Sequence, residues 1–400
     1  MKATPKGNRL HIGIFGRRNV GKSSLLNAMT RQEVSIVSET AGTTTDPVEK
    51  PMEILPIGPV LFIDTAGVDD IGALGEKRIL RTHKILDRTD VALLILEPGV
   101  WNAFEDSLVQ EFKERNIPFI GVINKVDLFP EDPKMIAKLH GAFAPIVFMV
   151  ATKGVGVIEL REALISITPE EYLNPPPLLA DLIAPGDLVI LVVPIDYEAP
   201  KGRIILPQVQ TIREILDSDA MSMMVKEREL PDAIRLLKKP PALVLTDSQA
   251  FKEVDRDTPQ SIPMSSFSIL FARHKGDLPA LIHGARSIAT LKPENRVLIA
   301  EACTHHPIKD DIGREKIPRW LQERVEGDLT FDHIQGHDFP DDLSPYDLVI
   351  CCGSCMVNRK EVLTRITKCQ NQNTPVSNYG LVIAYCLGCL ERAVAPFESC

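Results

Sequence analysis

The sequence predicts an α/β protein in three parts: a doubly wound domain over residues 1–172, a smaller α/β domain over 178–272 and another over 273–400. Three observations carry that reading. A short apolar strand, His11-Ile-Gly-Ile-Phe15, runs into Gly16-Arg-Arg-Asn-Val-Gly21-Lys22-Ser23-Ser24 and then a helical pattern with Leu25, Leu26, Ala28 and Met29. Buried-strand runs recur after it, each ending in a polar loop. All eight cysteines (303, 351, 352, 355, 369, 386, 389, 400) lie in the last quarter, where scattered core cysteines would not segregate.

Composition sets the frame. Four hundred residues exceed one ordinary core. A hydrophobic content of 44% and a charged content of 25% are those of a globular chain. The net charge of −9 argues against nucleic acid as the main partner. Met1 to Gly7 lacks the apolar core of a secretory signal, and no apolar run approaches the ~20 residues that span a bilayer. A cytoplasmic protein with no membrane contact is expected, in which cysteines serve as ligands or free thiols rather than disulfides.

The first strand, loop and helix form the GxxxxGK[ST] arrangement in the context that confirms it. Its glycines let backbone N–H groups wrap a polyphosphate at a helix N-terminus, where the dipole favours negative charge. Lys22 reaches the β/γ phosphates and the Ser23 hydroxyl binds Mg²⁺. Ala41-Gly-Thr-Thr44-Thr-Asp46 is a polar loop able to offer a second hydroxyl. Pro59 to Ile63 is a strand ending in Asp64-Thr-Ala-Gly67, with Asp64 placed for the metal's outer sphere and Gly67 for the γ-phosphate. Val91 to Leu96 and Phe119 to Ile123 are further strands, the second ending in Asn124-Lys125-Val126-Asp127. A carboxylate there accepts both N1–H and the 2-amino group of guanine, a donor pair that adenine lacks. The nucleotide is therefore GTP.

Over roughly its first 170 residues the sequence resembles the TrmE–Era–EngA group of small GTPases. The resemblance implies that Thr44 is the switch hydroxyl and that Ala151-Thr152 hold the guanine-contacting loop, with threonine in place of the usual alanine. Asn19 falls where potassium-activated members carry a K⁺ ligand, and Val20 and Ser24 complete the phosphate loop. Val68 replaces the glutamine of Ras-like enzymes, so water positioning falls elsewhere and intrinsic hydrolysis is slow. Glu76 matches a water-orienting glutamate of the potassium-dependent relatives, the other reading being a solvated surface charge.

Leu173-Asn-Pro-Pro-Pro177 punctuates the chain, since consecutive prolines cannot continue a helix. Leu188 to Val193, Arg203 to Leu206 and Gln208 to Leu216 read as strand, strand and helix; Ala233 to Leu237 and Ala242 to Thr246 add a helix–strand step. Met221, Met223 and Met224 are either an interaction surface or gap-filling core, core being the commoner use of methionine.

In the last part, Ala280 to Leu291 reads as helix and Arg296 to Ala300 as a strand feeding Glu301-Ala-Cys303-Thr-His305. A second buried strand, Tyr346 to Ile350, feeds Cys351-Cys352-Gly-Ser-Cys355. Both deliver thiols to one end of a sheet, and thiolates at C-x₂-C spacing can share one centre, by preference an iron–sulfur cluster. Neighbouring strand residues face opposite ways, which selects Cys352 with Cys355 and leaves Cys351 either a buried thiol or a fourth ligand. Cys386 and Cys389 repeat the spacing. A zinc site of Cys352, Cys355, Cys386 and Cys389, in a regulatory or ribosome- or RNA-associated GTPase, is the competing reading; packing of the second pair in an apolar helix opposes it. His306, His333 and His337 read as solvent-facing or hydrogen-bonded.

The nucleotide motifs together with Cys303-x-His305 and Cys352-x-x-Cys355 resemble the HydF family of GTPases, which mature FeFe-hydrogenase. That resemblance covers the whole chain. It implies a GTP-binding domain, a dimerisation domain that makes a homodimer, and a cluster domain in which Cys303, Cys352 and Cys355 hold a 4Fe–4S cluster beside His305. The family carries histidine before its CxxC where this chain has Cys351. The partners implied are radical-SAM maturases and apo-hydrogenase, and the cargo is a two-iron precursor bearing CO and cyanide.

Overall fold

A computed structural model describes residues 4–31, 48–65, 82–142, 144–194, 204–302, 311–325 and 327–398. The chain divides into two compact units, Met1–Pro175 and Pro176–Cys400. Within the first, strands β1 (Leu10–Phe15), β2 (Val48–Ile54), β3 (Gly58–Asp64), β4 (Val91–Leu96), β5 (Phe119–Asn124) and β6 (Ile146–Met149) form one sheet in the order β2-β3-β1-β4-β5-β6. Only β2 runs antiparallel to its neighbour.

The alternation of strand side chains explains the layers. Ile12, Ile14, Leu93 and Ile95 enter one buried cluster, while Phe15, Ala92, Leu94 and Leu96 enter another across the sheet. The first cluster is closed by α1 (Lys22–Arg31) through Leu25, Leu26 and Met29, and by α4 (Val157–Ile167) through Leu160 and Leu164. The second is closed by α2 (Ala103–Glu114) with Leu108 and Phe112, and by α3 (Pro133–Gly141) with Met135 and Leu139. Helix α2 starts where the Asn102 side chain accepts from Phe104 N and Glu105 accepts from Asn102 N, a reciprocal cap. With helices on both faces, the doubly wound arrangement read from the sequence is the observed one.

The second unit carries two parallel four-stranded sheets. One orders β7 (Leu188–Val192), β8 (Met221–Val225), β9 (Leu243–Thr246) and β10 (Met264–Ser266) as β10-β9-β7-β8. The strand expected over Arg203–Leu206 does not form in its described part: Leu206 opens helix α5 (Leu206–Asp217), whose second residue, Pro207, needs no N–H in a first turn. Strand β8 is an edge: Met221 (54% exposed) and Met224 (44%) stand on its surface, which corrects the core reading for those two, while Met223 packs against the buried cluster as that reading expects.

The other sheet orders β11 (Arg296–Glu301), β12 (Thr330–Gln335), β13 (Leu348–Cys351) and β14 (Val376–Asn378) as β12-β11-β13-β14. One cluster of buried side chains contains Ile190 and Val244 of the first sheet, Leu298 and Ile350 of the second, and Phe251 and Leu381 from helices packed on them. Helices α6 (Phe267–Lys275), α7 (Leu278–Arg286), α8 (Ile317–Val325), α9 (Arg359–Asn371) and α10 (Tyr379–Cys386) surround it. Among the described residues no helix is long and apolar enough to cross a membrane.

Candidate functional site

At the carboxyl end of β1 the chain turns through Gly16 and Gly21 into α1. Gly16 has φ +141° and a Cβ there would meet Ile95 O at 2.5 Å; Gly21 has φ +104° and its Cβ would meet Asn124 Nδ2 at 2.2 Å. Asn19 also lies in the left-handed region, at φ 62°. Val20 is buried and anchors the loop in the core, and Lys22 is buried with Nζ donating to Gly16 O (2.8 Å) and Arg17 O (2.6 Å). Ser23 lies in the first turn of α1 beside Ser24, and its hydroxyl donates to Asp64 Oδ2 at 3.1 Å.

Asp64 ends β3 next to β1. Burial raises its carboxyl above the usual range against the pull of Lys22 and the Ser23 hydrogen bond. Its Oδ1 is buried without a hydrogen-bond partner among the described residues. An orphaned carboxylate oxygen beside a serine hydroxyl at a helix N-terminus fits a hard divalent cation such as Mg²⁺.

Asn124 ties two loops together. Its Nδ2 donates to Val20 O at 2.8 Å and its Oδ1 accepts from Ala151 N at 3.0 Å. Lys125, at φ 63°, reaches Glu97 Oε2, and Asp127 pairs with Lys153 at 2.7 Å, a hydrogen bond that holds its carboxyl below the usual range. Thr152 is exposed beside them. The P-loop, Asp64, the Asn124–Asp127 loop and Ala151 are thus joined by direct contacts, whereas Thr44, Gly67 and Glu76 lie outside the described residues.

The second site is at the carboxyl ends of β11 and β13. These strands are parallel neighbours with Ala300 opposite Cys351; Cys352 N donates to Ala300 O at 2.9 Å, and Ala302 N lies 3.1 Å from Cys352 Sγ. The next residue in sequence is Cys303; it and His305 lie outside the described residues. Cys352 and Cys355 are partly exposed, and Cys355 is near enough to raise the Cys352 thiol, which burial already pushes up. The turn between them passes through Ser354 at φ 51° and leads to Asn358, whose side chain caps α9. Cys351 belongs to the core, and burial pushes its thiol up to about 12.

Two buried cations flank this turn, and neither is singled out by its sequence pattern. Lys275, the last residue of α6, is 4% exposed; its Nζ donates to Val357 O (2.9 Å), Ser354 O and Cys355 O (3.4 Å each). Burial lowers its pKa to about 8, opposed by the nearby Cys355 and Cys352 thiols. Arg365 on α9 is 3% exposed and donates to Glu361 Oε1 (2.7 Å) and Gly336 O (2.6 Å). Lys275, Arg365, Cys351, Cys352 and Ser354 line one cavity of about 20 Å³. Lys275 closes the basic run Arg273-His274-Lys275 at the end of α6, which in sequence is an ordinary basic helix terminus.

A partly exposed thiol pair, on a turn that leads into α9 and lies beside buried cations, suits thiolate ligation of an electron-rich metal cluster. Cys386 and Cys389 pack with the core, burial pushing both up to about 12, and Cys389 Sγ donates to Ala384 O. Among the described residues no group of three or more metal-ligating side chains gathers, so the competing zinc site of Cys352, Cys355, Cys386 and Cys389 is not formed. His333 Nε2 is hydrogen-bonded to Gly313 O and His337 Nδ1 to Glu361.

Comparison with known proteins bears on both sites. Residues 11–125 match the family model described as a 50S ribosome-binding GTPase, residues 178–276 the Hydrogen maturase F dimerization domain and residues 279–396 the Hydrogen maturase F tetramerization domain. Among curated proteins, the tRNA modification GTPase MnmE of Acaryochloris marina is 34% identical over 172 residues, covering 42% of this chain and 36% of that protein. GTPase Der of Wolinella succinogenes is 37% identical over 170 residues, covering 40% and 36%. The chain thus spans little more than a third of the length of these curated relatives. Among solved structures, Era of Aquifex aeolicus bound to GDP and aluminium fluoride is 26% identical with a TM-score of 0.34, covering 57% of this chain and 98% of that one.

Proposed function

The chain belongs to the hydrogen maturase F family, and from that premise we propose that it is a GTP-hydrolysing scaffold in FeFe-hydrogenase maturation, with a 4Fe–4S cluster at its thiol site. The observation that carries the cluster reading is the 3.1 Å separation of Ala302 N and Cys352 Sγ, because Ala302 precedes Cys303 in sequence. Cys303, Cys352 and Cys355 would then hold the cluster, with His305 beside it. Such a cluster, with three protein thiolates, supplies an iron with an exchangeable position. The cargo in this reading is a two-iron unit bearing CO and cyanide, taken from radical-SAM maturases and passed to apo-hydrogenase in the cytoplasm.

At the nucleotide site, Gly16 to Ser24 cradle the phosphates and Lys22 leaves the Gly16 and Arg17 carbonyls for the β/γ oxygens. Ser23 and Thr44 would hold Mg²⁺, which neutralises charge developing between the β and γ phosphates, with Asp64 behind it. Asp127 reads guanine, backed by Asn124, Lys125, Ala151 and Thr152. Gly67 meets the γ-phosphate, Glu76 orients water and Asn19 holds K⁺. GTP then biases docking with partners by ordering loops rather than acting on iron. The exposed edge β8 with Met221 and Met224 is the surface that favours homodimerisation.

Anaerobically purified or reconstituted protein should be brown and carry about four irons per chain. Colourless, iron-free protein after reconstitution would remove the cluster from the proposal. GTP turnover should be several-fold faster in K⁺ than in Na⁺ at equal ionic strength, and equal rates would take Asn19 out of the mechanism.

A further inference from the structure

The cysteine turn has a partner far away in sequence. Helix α6 lies within the segment matched to the dimerization domain, yet its last side chain ends beneath a turn of the segment matched to the tetramerization domain. Lys275 Nζ donates to the carbonyls of Ser354, Cys355 and Val357, three of the four residues from Ser354 to Val357. Neighbouring contacts fix the helix to the same elements: Arg359 Nη1 donates to His274 O (2.6 Å) and Asn378 Nδ2 to Ser268 O (3.2 Å). The Lys275 ammonium also sits 5.9 Å from the centre of the Phe271 ring, which lines the same cavity.

We propose that Lys275 is a positioning residue for the iron–sulfur cluster, holding the Cys352–Cys355 turn in its ligating shape and tuning the cluster's reduction potential. The inference rests on the cluster reading above. Two physical effects follow from the geometry. Three donated hydrogen bonds orient the turn's carbonyls inward, which fixes the backbone that carries Cys355. A positive charge held out of water beside two thiolates stabilises the more negative, reduced cluster over the oxidised one. Adding one electron to the oxidised cluster is therefore easier with the ammonium present. In the assay that electron comes from dithionite, and no redox step in the protein's own cycle is implied.

The test uses the full chain, reconstituted anaerobically with iron and sulfide, as wild type, Lys275→Met and Lys275→Arg. Lys275→Met should bind iron but be reduced less readily, with at least a tenfold lower reduced-to-oxidised ratio at a fixed potential; for one electron that is about 59 mV. The reduced-state electron paramagnetic resonance signal should report it, and a chelator should extract iron several-fold faster. Lys275→Arg, which keeps the charge, should return both readouts towards wild type. A folded Lys275→Met that takes up little iron while Lys275→Arg loads fully would also support positioning. Wild-type potential and extraction rate in Lys275→Met would overturn the proposal. So would failure of arginine to rescue, or loss of the fold by circular dichroism in both variants, which would make the residue merely structural. Wild-type protein that takes up no cluster sinks the cluster reading itself, a result distinct from any of these.

Discussion

At the carboxyl end of β1, the groups available to a nucleotide are mostly backbone; at the carboxyl end of β13, where a cluster is proposed, they are side chains held in place from other parts of the chain. The phosphate loop takes its shape from Gly16 and Gly21, whose positions leave no room for a Cβ, and from the Val20 side chain in the core. Everything it needs lies within nine consecutive residues, except the Asn124 brace. The cysteine turn takes its shape from Lys275 on α6, from the Asn358 cap on α9 and from the strand ends at Ala300 and Ala302. A site made of local backbone tolerates change around it; a site made of distant side chains is as strong as its farthest anchor.

The largest effect expected from this contrast is at Lys22. Its Nζ makes its described hydrogen bonds to loop carbonyls, so Lys22→Ala should leave the thermal midpoint nearly unchanged while GTP turnover falls by about two to three orders of magnitude. Turnover within tenfold of wild type would show that the loop backbone alone carries the phosphates. If the same variant still matured hydrogenase normally, GTP hydrolysis would be uncoupled from delivery.

Next comes the pair of adjacent thiols. Cys352→Ala should lose most of the iron, whereas Cys351→Ala should keep iron content and the resonance spectrum of the reduced protein, at a stability cost of about 1–2 kcal/mol for the space left in the core. A changed spectrum in Cys351→Ala would make Cys351 a ligand and close the cluster with a fourth thiolate. The strand itself, and not only the turn, would then present ligands.

These two sites were unequally legible. GxxxxGKS, DTAG and NKVD each carry their chemistry in a short stretch, and the structure brings Ser23 to Asp64 and Asn124 to both Val20 and Ala151. The meeting of β11 and β13 was also readable, because two apolar runs ending in thiols demand neighbouring buried strands. Lys275 was not readable: its partners lie 79 to 82 residues away, and nothing in the pattern of α6 distinguishes its ammonium from a solvated one. The Arg203–Leu206 reading failed on periodicity too short to separate a strand from a helix entry, and Pro207 decided for the helix. Edge exposure misled for Met221 and Met224, since composition does not say which strand of a sheet lies outermost.

The smallest expected effect tests whether charge far from the phosphates matters to the first site at all. Glu49 on β2 is paired with Arg88 (2.7 Å) and Lys6; burial alone would raise its carboxyl, but the two cations pull it down to about 2. A carboxylate whose folded pKa is depressed stabilises the fold fully above its ordinary value, about 4.5, and loses that contribution as the pH falls towards 2. Discounted for its partial exposure, the pair is worth about 1–2 kcal/mol at neutral pH. Glu49→Gln should therefore unfold more easily than wild type at pH 7, and the gap should narrow between pH 4.5 and pH 3, measured by urea titration of the first unit's signal. Affinity for GDP at pH 7 should be unchanged, because Glu49 pairs with Arg88 and Lys6, and the β2 side chain that acts on Asp64 is Lys50, which the substitution leaves in place. A parallel loss of GDP affinity would mean that the phosphate end also depends on distant side chains, and that the two sites differ in degree rather than in kind.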